Sequence, residues 1–276
     1  MSGWSQAGEW QAGGSQASGS QAGAGLLDVL ALEPIEQDLY RANLVFAEEH
    51  ALYGGQVAAQ ALRAAGLTVA PERHAHSLHG YFLRPGDSQI PTVFQVFRDR
   101  DGRSFSARRV IAIQRGAVIF NMSASFHVRQ DGWASQTEPM PATEASADLP
   151  AGGLYRLFSM EGRIPTQPFA EATPRPTRFW ARATVPLGKD PLIHACALTY
   201  LSDILTGVLP AADGSAGPGP SLDHAVWFHG PVDMNDWILS EYHPRVSGHG
   251  RGWYTGSIFT AGGTLAASIA QETLFR

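Results

Sequence analysis

The sequence predicts an α+β fold built from two copies of one unit, each copy a helix followed by an antiparallel meander. Three observations predict it. Two helix-like segments, one opening at Leu52-Tyr53-Gly54-Gly55-Gln56 and one spanning His194–Leu209, are each followed by a run of strand-like segments. Turn residues recur at a fixed offset: Pro85, Asp87, Gly102 and Gly116 answer to Pro231, Asp233, Gly248 and Gly262 at a spacing of 146, and Ser77-Leu78 answers to Ser221-Leu222 at 144. A proline-rich stretch separates the two copies, with Pro139, Pro141, Pro150, Pro165, Pro168, Pro174, Pro176 and Pro186 breaking regular structure.

The elements follow in order. Residues 1–25 are nearly all Gly, Ser, Gln and Ala and cannot bury enough surface to offset their ordering entropy, so they are expected to form a disordered tail. Leu26–Ala47 holds a short helical stretch, then Pro34, then a strand near Tyr40–Phe46. The first long helix carries Val57, Ala58, Ala61, Leu62 and Ala65 and stops at Gly66. Strands are expected at Ser77–Arg84, Thr92–Arg98, Phe105–Gln114 and Ala117–His127, with turns at Asp101-Gly102 and Arg115-Gly116. Between 130 and 190 the sequence suggests one short helix near Leu154–Met160 and a strand near Arg178–Thr184. The second helix runs to Leu209, ahead of Pro210. A loop over Ala211–Pro220 follows, then strands at Ser221–His229, Trp237–His243, Gly252–Phe259 and Thr264–Phe275, the last two joined by Ala261-Gly262-Gly263. The domain limits are accordingly 26–130 for the first copy, 131–176 for a linker and 177–276 for the second copy.

This order is the one that two fused hotdog folds would give, in which a long sheet wraps one central helix and the two sheets join edge to edge. A generic duplicated α+β domain would leave the same pattern.

Composition narrows the function. The chain has 276 residues, 44% of them hydrophobic and only 16% charged, which is enough apolar material for a substantial core. The formal net charge of −5 offers no global field to attract nucleic acid or an anionic bilayer. One cysteine, Cys196, excludes an intramolecular disulfide and a cysteine-based zinc site. No residue before Arg41 is basic, and no apolar run approaches the ~18 residues of a membrane span. The expectation is a soluble cytoplasmic protein with no membrane partner.

Several segments then carry a resemblance. They are Leu52-Tyr53-Gly54-Gly55-Gln56, His76-Ser77-Leu78-His79-Gly80-Tyr81-Phe82-Leu83-Arg84-Pro85-Gly86, and Asp101-Gly102-Arg103-Ser104-Phe105-Ser106-Ala107-Arg108-Arg109-Val110. In the second half they are Tyr200-Leu201-Ser202-Asp203, Ser221-Leu222-Asp223-His224, Trp227-Phe228-His229 and Ala267-Ser268-Ile269-Ala270-Gln271-Glu272. From about residue 26 to its last residue the chain resembles the acyl-CoA thioesterase II (TesB-like) family. The resemblance implies a double-hotdog fold and the hydrolysis of acyl-CoA to a free acid and CoA, without metal or cofactor, in a chain that assembles as a homo-oligomer. It also implies a catalytic set of an Asp on the second central helix, a hydroxyl opening the next strand and a Gln in the last strand. Those positions here are Asp203, Ser221 and Gln271, with Ser keeping the hydroxyl where the family has Thr or Ser.

The residues themselves suit that chemistry. Thioester hydrolysis needs an activated water and a stabilised oxyanion. A carboxylate can accept the water's proton, while a hydroxyl and a carboxamide fix its orientation. Taken singly, each residue has a plainer explanation. Asp203 would share a polar helix face with Thr199 and Thr206, Ser221 would cap a turn, and Gln271 would be an exposed strand residue. If a sheet sheathes the helix instead, Asp203 loses hydration and becomes a stronger base. Strand alternation puts Ile269, Gln271 and Thr273 on one face.

Candidate substrate contacts are Gly54, Gly55 and Gln56 at a helix start, whose N–H groups could face a thioester oxygen or a phosphate, and Arg103 and Arg109 for the CoA phosphates. The first copy lacks the set: the region aligned with Asp203 is Gln56-Val57, that aligned with Gln271 is Ser123–Ser125, and only Ser77 echoes Ser221. One catalytic site per chain is expected. His74, His76, His79, His224 and His229 are expected to be structural or hydrogen-bonded, and Cys196 a buried small residue. Neither a Gly-x-Ser-x-Gly elbow nor a Gly-x-x-x-x-Gly-Lys loop occurs. Two other functions stay open on the residues: a non-catalytic acyl-CoA-binding protein, and a hotdog enoyl-CoA hydratase, for which an Asp-x-Asn-x-x-His segment is lacking.

Overall fold

A computed structural model describes residues 25–45, 51–152, 154, 157–168, 175–204 and 217–275. The expected tail therefore lies outside the described residues, apart from Gly25, as does most of the loop at Ala211–Pro220.

In chain order the elements are α1 (Leu26–Leu30), β1 (Leu32–Glu36), β2 (Leu39–Ala42), α2 (Gly54–Gly66), β3 (Arg73–Phe82), β4 (Val93–Asp101), β5 (Phe105–Gln114), β6 (Ala117–Val128), β7 (Met160–Arg163), β8 (Arg178–Ala183), α3 (Pro191–Ser202), β9 (Pro218–Ser221), β10 (Asp223–Phe228), β11 (Ile238–Gly248), β12 (Arg251–Thr260) and β13 (Leu265–Phe275). All strands among the described residues form one sheet in the order β1-β2-β4-β5-β6-β3-β10-β13-β12-β11-β8-β7, with β9 paired to β13 beside this path. The order reads symmetrically outward from the β3–β10 seam. On one side lie β6, β5, β4 and β2; on the other lie β13, β12, β11 and β8. Antiparallel pairing across the seam, from Asp223 against Tyr81 to Trp227 against Ser77, removes the two edges that separate half-sheets would expose.

Each half-sheet has one long helix, and α2 and α3 pack on each other. Both are buried nearly all round, which suits a helix enclosed by a sheet and a neighbour. In α2 the buried surface is mostly alanine: Ala58, Ala59, Ala61, Ala64 and Ala65 are fully enclosed, with Leu62. Small side chains let the backbones approach. A Cβ on Gly55 would overlap the carbonyl oxygen of Tyr200, and one on Gly66 would overlap Leu192. Tyr53 meets the Tyr200 ring edge-on at 5.2 Å and donates a 2.9 Å hydrogen bond to the Tyr200 carbonyl. The start of α3 is fixed by Asp190, whose side chain accepts from the Leu192 N–H at 2.9 Å, and by Pro191 in the first turn. At the start of α2 the Tyr53 side chain makes no capping hydrogen bond, and its carbonyl accepts from the Gln56 and Val57 N–H groups.

The α+β duplication and the hairpins stand as predicted. Arg115 and Gly116 both take positive φ, 49° and 75°, as a two-residue hairpin turn requires. Three local expectations are corrected. Among the described residues near Leu154–Met160 there is no helix. Strand β7 begins at Met160, because Glu161 stands opposite Arg182 of β8 and pairs with it at 2.8 Å, a cross-strand match that a helix would forfeit. Pro34 lies within a strand, tolerated because β1 is an edge. The described part of the second helix ends at Ser202 with Asp203 as its C-cap, and residues 205–216 lie outside the described residues.

Candidate active site

Three elements that are far apart in sequence bring Asp203, Ser221 and Gln271 together. Asp203 caps α3 rather than sitting within the helix, and it is only 3% exposed. Ser221 ends the short strand β9 instead of opening β10, which starts two residues later. It pairs with Thr273 of β13, and this lays its side chain beside Gln271. Gln271 lies on the inward face of β13 with Ile269 and Thr273, as alternation predicts, and is fully buried.

The geometry is tight. Ser221 Oγ donates to Asp203 Oδ1 at 3.0 Å. Gln271 Nε2 donates to the same oxygen at 2.5 Å and to Ser221 Oγ at 2.7 Å. The other carboxylate oxygen lies against Gly54. A Cβ on Gly54 would overlap Asp203 Oδ2 and the Phe82 ring. The carboxylate thus abuts the positive end of the α2 dipole. Phe82, packed on Phe120 with ring centroids 4.9 Å apart, forms an apolar wall beside it.

The surroundings are dry. Burial and, next, the charge of Asp203 push the phenols of Tyr53, Tyr242 and Tyr254 well above their ordinary range, so all three are neutral. Tyr242 donates to the carbonyl of Ser202 at 3.2 Å and steadies the end of α3.

Sequence reasoning treated His224 only as a structural or hydrogen-bonded residue. It is fully buried and bridges the site to the helix, with Nδ1 2.5 Å from Gln271 Oε1 and Nε2 2.7 Å from Ser202 Oγ. Burial lowers its pKa to about 4, against a smaller raising effect from Gln271. Nothing in the local sequence marks this role, because the contact joins residues 47 positions apart.

The other candidates divide. Gly54 and Gly55 form the first turn of α2 at the carboxylate. Gln56 is buried, and its Oε1 has no hydrogen-bond partner among the described residues; it lines a pocket with Leu52, Gln60, Ser88 and Thr92. Arg103 is exposed on the β4–β5 turn, beside the start of β3, where Arg73 reaches the Gly102 carbonyl. Phe82, at the site, ends that strand, which is about 30 Å away at ~3.3 Å per residue. Arg109 is exposed on the outward face of β5, stacked over Phe97 at 4.1 Å and 3.5 Å from Asp99. Neither arginine meets the carboxylate cluster.

The first copy differs at the matching end. Helices α2 and α3 correspond end to end, so the counterpart of Asp203 is the C-cap of α2, Leu67, and not Gln56-Val57, which begin that helix. The cross-strand pair Tyr254–Gln271 corresponds to Arg108–Ala124. Arg108 is 1% exposed and fills the space, donating to Thr68 Oγ1 at 2.8 Å, the Thr68 carbonyl at 3.0 Å and Asp101 at 2.8 Å.

Two helices wrapped by one continuous sheet define the class as a double-hotdog fold. A family model for an acyl-CoA thioesterase N-terminal domain matches residues 46–127, and one for the C-terminal domain matches residues 134–275. The chain belongs to the acyl-CoA thioesterase II (TesB-like) family. It is 35% identical over 278 residues to acyl-CoA thioesterase 2 of Haemophilus influenzae, covering 91% of this chain and 96% of that protein. The crystal structure of the acyl-CoA thioesterase II TesB2 from Mycobacterium marinum superposes with a TM-score of 0.76 at 40% identity, over 91% of this chain and 96% of that one. A hotdog-fold protein of unknown function from Alicyclobacillus acidocaldarius, at 22% identity, shares the fold with a TM-score of 0.73 over 90% of this chain and 97% of that one.

Proposed function

We propose that the chain hydrolyses fatty acyl-CoA to free fatty acid and CoA with a water oriented by Asp203, Ser221 and Gln271. The observation that carries this is the convergence of a hydroxyl and a carboxamide on one oxygen of a buried carboxylate. Asp203 takes a proton from the water as its oxygen bonds to the thioester carbonyl carbon. Ser221 Oγ, whose own hydrogen is on Asp203, accepts the water's second hydrogen, and Gln271 fixes Asp203 and Ser221 by donating to both, so that a lone pair of the water faces that carbon. The negative charge then developing on the carbonyl oxygen falls within reach of the N–H groups of Gly54 and Gly55 in the first turn of α2. The tetrahedral adduct collapses with cleavage of the C–S bond, the CoA sulfur leaves as thiolate, and Asp203 returns the proton to it. Phe82 and Phe120 offer an apolar surface to the acyl carbons nearest the ester. Arg103 and Arg109 take no part at the reacting atoms.

The test is thiol release from a panel of acyl-CoA chain lengths, comparing the wild type with Asp203→Asn. Turnover in the wild type and a fall of at least ~100-fold in the variant support the proposal. A wild type that binds acyl-CoA and returns it unchanged would favour a binding protein, and loss of enoyl absorbance without thiol release would favour a hydratase. We further take the enzyme to be a cytoplasmic homo-oligomer. What supports this is a single free cysteine, buried, and the exposed Tyr81 and Trp227 along the outer seam of the sheet. Sedimentation velocity tests the assembly.

A further inference from the structure

We propose that His224, as a neutral imidazole protonated on Nδ1, is a positioning residue that holds the Gln271 amide with its NH2 end, not its oxygen, toward Asp203 and Ser221. The functional part of this rests on the thioesterase reading; the tautomer does not.

A glutamine amide is nearly isosteric with its own flipped form, and nothing in its shape chooses between them. The flipped form would press Oε1 against Asp203 Oδ1 and against Ser221 Oγ, whose hydrogen already goes to Asp203. In the observed form both amide hydrogens are used, one on Asp203 and one on Ser221. Gln271 Oε1 is then purely an acceptor. Its neighbour at 2.5 Å is His224 Nδ1, which must carry a hydrogen. Nε2 of a neutral imidazole must then accept, and Ser202 Oγ at 2.7 Å has a hydroxyl to donate. The Thr199 carbonyl, 3.0 Å from the same hydroxyl, is the longer alternative for that one hydrogen.

The result is a relay of fixed polarity: Ser202 O–H to His224, His224 N–H to Gln271, and Gln271 N–H2 to Asp203 and Ser221. An imidazolium would turn the acceptor at Nε2 into a donor and bury a charge with no carboxylate hydrogen-bonded to it. The low pKa of His224 agrees with the neutral form. Ser202 and Asp203 are adjacent on α3, so the relay starts and ends at one helix terminus. It locks the register of β10 and β13 against α3 at the level of the reacting water.

The experiment has two arms on the full chain. In the first, 15N spectra of wild type labelled at histidine read the His224 ring directly. The proposal expects a protonated Nδ1 and an unprotonated Nε2 at neutral pH; a protonated Nε2 overturns it. In the second, kcat and KM are measured for His224→Ala, His224→Gln and His224→Asn, with circular dichroism to establish folding. The Asn amide nitrogen occupies the Nδ1 position, so His224→Asn should keep kcat within about fivefold of wild type. The Ala and Gln variants should lose ~10–100-fold in kcat with KM within about threefold. Equal losses in the Asn and Ala variants, or a folded Ala variant with wild-type kcat, overturn the proposal. If the variants do not fold, the spectrum decides. A wild type without hydrolytic activity would defeat the thioesterase reading and leave the tautomer readable.

Discussion

Replacing Gly54 by alanine sets two effects of opposite sign against each other, and the structure decides between them. Helix propensity favours alanine over glycine by about 1 kcal/mol inside a helix, so a view confined to α2 expects stabilisation. The structure expects the reverse. The added methyl would overlap Asp203 Oδ2 and two atoms of the Phe82 ring. Asp203 is held on its other side by Ser221 and Gln271, and Phe82 by Phe120. Overpacking of this kind costs about 1–3 kcal/mol, which leaves a net loss of up to about 2 kcal/mol after the propensity gain. For a chain of this size that corresponds to a fall of up to ~6 °C in Tm. Displacing the carboxylate by a large fraction of an ångström should also lower kcat by ~10–100-fold. Gly66 supplies the control at the other end of the helix. The nearest atoms to a Cβ there belong to the flexible Leu192 side chain, far from the carboxylate, so Gly66→Ala should change Tm while leaving kcat within about twofold. The assays are differential scanning fluorimetry and thiol release at saturating substrate. A Gly54→Ala enzyme with raised Tm and full kcat would refute the close approach of α2 to the carboxylate.

Other consequences can be checked separately. Ser221→Thr should retain kcat within about threefold because the hydroxyl persists, whereas Ser221→Ala should lose ~10–100-fold, read by steady-state kinetics. Arg108→Met leaves the Thr68 and Arg100 carbonyls without their buried donor; it should lower the unfolding free energy by about 3 kcal/mol in urea titration, with kcat unaffected under native conditions. Stability should fall with acid through His224. Its pKa is about 4 in the folded chain and about 6.5 when unfolded, so the unfolded state binds the proton first as pH drops. The loss begins near pH 6.5, reaches about 2 kcal/mol by pH 5 and levels off near 3 kcal/mol below pH 4. The stability difference between wild type and His224→Asn at pH 7 and pH 5 measures it.

How far the sequence foretold this molecule depends on the range of the interactions involved. Alternation in β13 gave the phase of Gln271 because inward and outward residues are set by the strand alone. The turn spacing located the duplication because hairpin chemistry is local. The same spacing failed for the helices: 146 residues before Asp203 is Val57, at the start of α2, although the structural counterpart is Leu67 at its end. Loops of different length before each helix shift the register, and only packing restores the correspondence. Ser221 was read as the start of a strand, but its pairing with Thr273 depends on a partner 52 residues away. His224 and Arg108 were out of reach for the same reason. Nothing in their local sequence says that one meets Gln271 and that the other fills the matching end of the first copy.

Whether the nucleophile is a water held by Asp203 or Asp203 itself can be read in a single turnover. With enzyme in excess over acyl-CoA in H2 18O, the account predicts that the released fatty acid carries one 18O from the first turnover. Unlabelled acid, with the heavy oxygen found on Asp203 instead, would mean a covalent acyl-aspartate and would contradict it.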